Sequence, residues 1–138
     1  MLKTLADETR LRILMLLGEK ELFVCQLMAV TGLSQPLVSR SLARLEREGL
    51  LASRRQGKHV FYRLKEEMPL LGRAVMAVLS GRGEGSMNFT RDLANLKLFR
   101  KRFQREATCD MGTVRAFIAF KNKNQGANHG KTGQKSVH

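Results

Sequence analysis

The sequence predicts a mainly α fold carrying one β-hairpin, and three observations predict it. Apolar residues recur at three-to-four spacing in several consecutive segments. Glycines and caps punctuate those segments at intervals suited to short helices. Two runs rich in β-compatible residues, from Leu50 to Arg55 and from His59 to Leu64, are joined by Gln56-Gly57-Lys58, which reads as a hairpin turn. A chain of 138 residues fits one domain plus appendages.

Taken in order, Asp7 is placed to cap a helix whose apolar positions include Leu11, Leu14 and Met15, with Gly18 as its left-handed stop. A second short helix fits Leu22 to Val30 and ends at Thr31-Gly32-Leu33-Ser34, where Gly32 permits a sharp turn. Ser34 then caps a third helix, with Pro36 in its first turn and Gly49 past its end. On that third helix Val38, Leu42 and Leu45 share one stripe, while Pro36, Arg40, Ala43 and Arg47 lie opposite, flanked by Ser39 and Arg44. After the hairpin, Glu66 to Leu79 has helical periodicity and is too apolar to stand alone. A further helix is expected from about Asn88 to Gln104, with a weaker apolar segment from Val114 to Phe120.

These elements divide the chain into a core domain over 1–80, a Gly-rich linker over 81–87, a helical extension over 88–120 for dimerisation or effector contact, and a basic tail over 121–138. From Lys121 onward there is no acid and little to bury, so disorder is expected there.

Lys and Arg number 25 against 12 acidic residues, a net charge of +13, and such a balance points to a polyanionic partner, nucleic acid before a membrane surface. No apolar run is long enough for a signal peptide core or a bilayer span, so the sequence reads as cytoplasmic. The sequon at Asn88 is discounted for the same reason. Two cysteines, Cys25 and Cys109, exclude a disulfide-stapled scaffold.

Two short helices separated by a glycine-containing turn, the second cationic on its outer face, match the helix-turn-helix plan for entering the DNA major groove. The basic hairpin that follows makes a wing. Residues early in the second helix, Gln35, Ser39, Arg40 and Ser41, are placed near base edges, and Arg44, Arg54, Arg55 and Lys58 near the phosphate backbone. A surface helix bearing Arg40, Arg44 and Arg47 would otherwise be merely solvated; the wing tips the reading towards DNA.

At these residues the sequence resembles the ArsR/SmtB family of bacterial metal- and metalloid-responsive repressors. The resemblance rests on Leu-Ala-Asp-Glu-Thr-Arg-Leu-Arg-Ile-Leu at 5–14, Gly-Leu-Ser-Gln-Pro-Leu-Val-Ser-Arg-Ser-Leu at 32–42, and Gly-Lys-His-Val-Phe-Tyr-Arg-Leu at 57–64, and spans roughly 1–80. It implies a winged-helix homodimer, paired through its first and last helices, that sets two recognition helices on an inverted-repeat operator in double-stranded DNA. The family's arsenic branch carries three cysteines on the helix before the turn, in a segment that here reads Glu21-Leu22-Phe23-Val24-Cys25-Gln26-Leu27-Met28. Cys25 alone survives; Phe23 cannot ligate a metalloid and Met28 offers only a weak thioether.

Cys25 reads either as a buried inert thiol or as a sensing residue, and Cys109 as a passive thiol or its partner. If the C-terminal segment folds back, or crosses a dimer, the pair would suit a trivalent arsenical as effector or oxidise to a disulfide. The family's zinc site needs Asp and His on a dimer helix, and Glu66 to Leu79 has no His; His59, His129 and His138 fall in the wing and tail. No cofactor is required by this reading. Two rivals follow. A non-specific architectural or RNA-binding winged protein would use the charge alone, and an enzyme is disfavoured because no paired carboxylates, nucleophile with adjacent His, or metal cluster can be assembled.

Overall fold

The computed structural model describes residues 1–81, 87–103 and 112–123. Its elements run α1 (Leu2–Leu5), α2 (Glu8–Glu19), β1 (Leu22–Phe23), α3 (Val24–Thr31), α4 (Gln35–Arg47), β2 (Leu51–Gln56), β3 (His59–Leu64), α5 (Leu70–Gly81) and α6 (Met87–Phe103). A last helix, α7, covers 112–123. The fold is therefore mainly α with a small antiparallel sheet, in the order β1-β3-β2.

Local chemistry explains most boundaries. The Asp7 carboxylate accepts from the Arg10 amide at 3.1 Å and opens α2. α3 closes at Gly32, whose φ of 76° is left-handed, and α4 opens with the Ser34 hydroxyl accepting from the Leu37 amide. The hairpin pairs Leu51 with Leu64 through Gln56 with His59, turning at Gly57-Lys58.

Three boundaries differ from expectation. Gly18 lies inside α2 and does not terminate it; the stop falls at Lys20 in extended backbone. A Cβ at Gly18 would meet the Met76 methyl at 3.3 Å, so the glycine serves the approach of α5. Leu22 and Phe23 form a strand, because pairing with Tyr62 and Phe61 of β3 captures them before the helix starts. Residues 66–69 are not helical: Pro69 disfavours helical backbone at Met68, so α5 begins at Leu70.

One continuous core joins α1 through α7. Ile13, Leu16, Leu27, Val30, Val38, Leu42, Leu45 and Leu50 are fully buried, and Leu96, Phe99, Val114 and Phe117 belong to the same cluster. The C-terminal extension is thus part of the core. α5 packs closely on Leu50, where a Cβ on Gly72 would overlap the Leu50 side chain. Its Leu70 and Val78 remain outside, 74% and 58% exposed.

α6 is tied to α2 by a buried ion pair. Arg12 Nε donates to Asp92 Oδ2 at 2.7 Å and Nη2 to Oδ1 at 2.9 Å, with Asp92 1% exposed. The bidentate bond raises the Arg12 pKa above its ordinary value. The tail expected from Lys121 is displaced: 121–123 continue α7, and Lys121 is buried. Its ammonium donates to the Val30 carbonyl at 3.4 Å and lies 5.3 Å from the centre of the Phe117 ring, a cation–π contact that makes burial tolerable. Among the described residues no helix is long and apolar enough to cross a membrane. Residues 82–86 of the expected linker, and the expected tail from 124 onward, lie outside the described residues.

Candidate nucleic-acid interface

The interface is built around α4. Val38, Leu42 and Leu45 are completely buried, and this stripe fixes the helix axially. The opposite face therefore has no choice but solvent. Gln35, Pro36, Ser39, Arg40, Ala43 and Arg47 are all exposed. A helix of 13 residues is about 20 Å long, a rod that the major groove admits lengthwise. Arg40 is held along the rod by its Nε donating to the Pro36 carbonyl at 3.3 Å.

The turn before α4 is unusually well tied. The Thr31 hydroxyl donates to Leu27 O at 2.6 Å and accepts from the Leu33 amide at 3.2 Å. Val30 O also accepts from Asn95 Nδ2 at 3.2 Å, and Thr31 O from Arg12 Nη2 at 3.2 Å. The last carbonyls of α3 are thereby satisfied by α2, α6 and α7.

Of the expected contact residues Ser41 is covered, and Arg44 and Arg54 have partners within the chain. Ser41 is 5% exposed and sits on the packed side of α4, one step round from the core stripe, so it is withdrawn from the base-reading face. Arg44 is half-buried; its Nε donates to Thr4 Oγ1 at 3.1 Å and faces Glu48 at 3.8 Å, which commits it to anchoring α1. Arg54 is exposed, but Glu21 holds its guanidinium in a bidentate pair, Nε to the two carboxylate oxygens at 2.9 and 3.0 Å. The same group caps the Phe61 ring at 4.6 Å and donates to Gln56 at 2.7 Å. Arg54 is paired across the sheet with Phe61 and Arg55 with Val60, so the two arginines point to opposite faces. Gln35, Ser39, Arg40, Arg55 and Lys58 stay exposed.

Sequence reading missed the role of Phe23. Where the arsenic branch has a thiol, this ring stacks on His59 at 4.5 Å and meets Phe61 edge-on at 5.0 Å. It joins the start of the Cys25 helix to the wing. Cross-strand apolar pairing was the only available signal, and it requires knowing that β1 exists. Cys25, in the first turn of α3, is half-buried and disulfide-bonded in this structure. Cys109 lies outside the described residues, as do His129 and His138. Among the described residues no three His, Cys, Asp or Glu side chains cluster as metal ligands.

Comparison with known proteins agrees with this geometry. The profile of the family described as "Bacterial regulatory protein, arsR family" matches residues 7–53. The arsenic resistance transcriptional regulator ArsR2 of Pseudomonas putida is 50% identical over 68 residues, covering 49% of this chain and 59% of its own length. The arsenical resistance operon repressor of Escherichia coli is 54% identical over 68 residues, again 49% of this chain and 58% of its own. This chain thus spans less than two thirds of either relative. The crystal structure of the transcriptional repressor BigR from Xylella fastidiosa superposes with a TM-score of 0.51 at 32% identity, over 62% of this chain and 85% of that one. The chain belongs to the ArsR family of helix-turn-helix transcriptional regulators, a family of regulators and not of enzymes.

Proposed function

We propose that this chain is a sequence-specific DNA-binding repressor that acts as a homodimer and is released by a thiol-reactive effector, a trivalent arsenical or an oxidant. The observation that carries the DNA reading is α4 itself: a rod with a fully buried stripe and an exposed face of Gln35, Ser39, Arg40 and Arg47. Gln35, Ser39 and Arg40 read bases. Arg55 and Lys58 on the wing meet phosphates, while Arg54 is spent on Glu21. The outward Leu70 and Val78 of α5 supply an apolar stripe for a second copy, and a two-fold pair would set half-sites about 34 to 36 Å apart.

The effector reading is supported by the state of Cys25. With two cysteines in the chain, Cys109 is the second sulfur we assign to it. Oxidation would pass two electrons to the oxidant and release two thiol protons; an arsenical would require the reduced pair and exchange its oxygen ligands for two thiolates. Either event acts two residues from Phe23, whose ring grips the wing at His59 and Phe61. Release then follows from a shifted wing, with the 1 to 3 kcal/mol of coupling usual for such switches, roughly 5- to 150-fold in DNA affinity. The arsenic regulators among its relatives favour the arsenical arm.

A gel shift on DNA upstream of the chain's own gene, titrated with arsenite, methylarsenite, zinc and peroxide, tests this. Localised binding is expected, lost on adding an arsenical or peroxide and kept in Cys25→Ser. An unlocalised footprint would instead support a non-specific architectural protein. Within the specific complex, Arg40→Ala should relax sequence preference. Lys58→Ala should weaken all sequences alike and lower the salt slope by about 0.9 per subunit, about 1.8 for the homodimer. Equal losses from both changes on specific and random duplexes would contradict this division of labour.

A further inference from the structure

The two C-terminal helices carry a face of one sign. On α6 and α7 the exposed cations include Arg91, Lys97, Lys101, Arg115 and Lys123, whereas the sole acid in their sequences, Asp92, is buried against Arg12. Solvated faces ordinarily intersperse both signs, since neighbouring like charges repel. Among the described residues of these two helices no exposed acid offsets the repulsion; Glu19 of α2 approaches only Lys97 and Arg100.

The face also has a direction. Phe117 meets Phe99 edge-on at 5.1 Å, while Lys121 and Asn95 share the Val30 carbonyl. α7 therefore runs antiparallel to α6. One end of the pair, bearing Arg91 and Lys123, sits against the close of α3, where Gly32 starts the turn into α4. At that end burial pushes the Lys121 ammonium down in pKa, opposed by Asp92 and assisted by Arg12 and Arg91, which places Arg91 within electrostatic reach of the turn. Towards the other end, Lys97 and Arg100 line a cavity of about 130 Å³ with Glu19 at the close of α2. Arg115, two residues before Phe117 on an antiparallel helix, belongs to that far end.

We propose that Arg91 and Lys123 form a second phosphate-binding surface, which holds the DNA backbone beside the groove occupied by the start of α4. The inference rests on the DNA-binding reading above, and its physical basis is continuity. The residues that hold the turn, Asn95 and Lys121, belong to the same two helices as the cations. Only residues 32–34 separate the close of α3, which Asn95 and Lys121 hold, from Gln35 at the start of α4, and a polyanion is the partner that such charge fits. The contacts read no sequence, so they add affinity and extend the footprint on the side of the turn.

The test uses the full chain with a random-sequence duplex of about 30 base pairs, three helical turns, and measures Kd against salt. Arg91→Gln/Lys123→Gln should lower the slope of log affinity on log salt by about 1.8 per subunit, two contacts at 0.9 each, and so by about 3.6 for the homodimer. Lys97→Gln/Lys101→Gln/Arg115→Gln should change it by less than one contact's worth. All five positions are exposed, and unchanged thermal melts would show that folding is intact. An unchanged slope in the first variant, or an equal loss in the second, overturns the proposal. Loss confined to anionic phosphatidylserine vesicles does so too, by assigning the patch to a membrane. Wild-type protein that binds no duplex would sink the DNA-binding reading as well, which separates the two failures.

Discussion

Replacing Arg12 with Met is expected to destabilise the fold by about 3–5 kcal/mol, the penalty for stranding one member of a buried ion pair. Asp92 is 1% exposed and takes both of its close hydrogen bonds from Arg12. Without that guanidinium the carboxylate loses its hydrogen-bonded partner and keeps only the electrostatic help of Lys121, or it takes up a proton, and the Thr31 carbonyl loses a donor at the end of α3. Urea denaturation measures the loss. The double variant Arg12→Met/Asp92→Leu should recover most of it, because the cost lies in the orphaned charge; no recovery would mean that the pair itself is the source of stability.

Phe117→Ala should cost about 3–5 kcal/mol, the range for truncating a fully buried aromatic side chain. The ring is 0% exposed and packs edge-on against Phe99. Denaturant midpoints for the full chain would check this, and a loss below about 1 kcal/mol would show that α7 is not part of the core. The result bears on DNA binding as well as stability. α7 delivers Lys121 to the Val30 carbonyl, so loosening it should soften the turn that orients α4.

Short-range chemistry made much of the fold legible. Asp7, Ser34, Gly32 and the Gly57 hairpin turn are recognisable because caps and turns act over three or four residues. The Val38, Leu42 and Leu45 stripe was equally plain, since helical periodicity alone puts those side chains on one face. Gly18 and Lys121 were misread for the converse reason. A glycine within α2 that clears the way for Met76, and a lysine made tolerable by a phenyl ring and a carbonyl from α3, depend on partners far along the chain.

The residues proposed for DNA contact divide in the same way. Gln35, Ser39 and Arg40 needed only the helix wheel, whereas Ser41 lies one step round it, where the depth of packing decides whether a hydroxyl is covered. Arg54 and Arg44 are cations in sequence but partners of Glu21 and of Thr4 in space. By itself, then, the sequence determined which segments coil, where they stop and which helix shows its charge outward, because these follow from neighbours along the chain. Tertiary structure alone decided which of those charges remain available, how Phe23 joins the Cys25 helix to the wing, and that the C-terminal helices brace the turn. Each of these needs groups 30 or more residues apart to be brought within a few ångströms, and no local spacing encodes that.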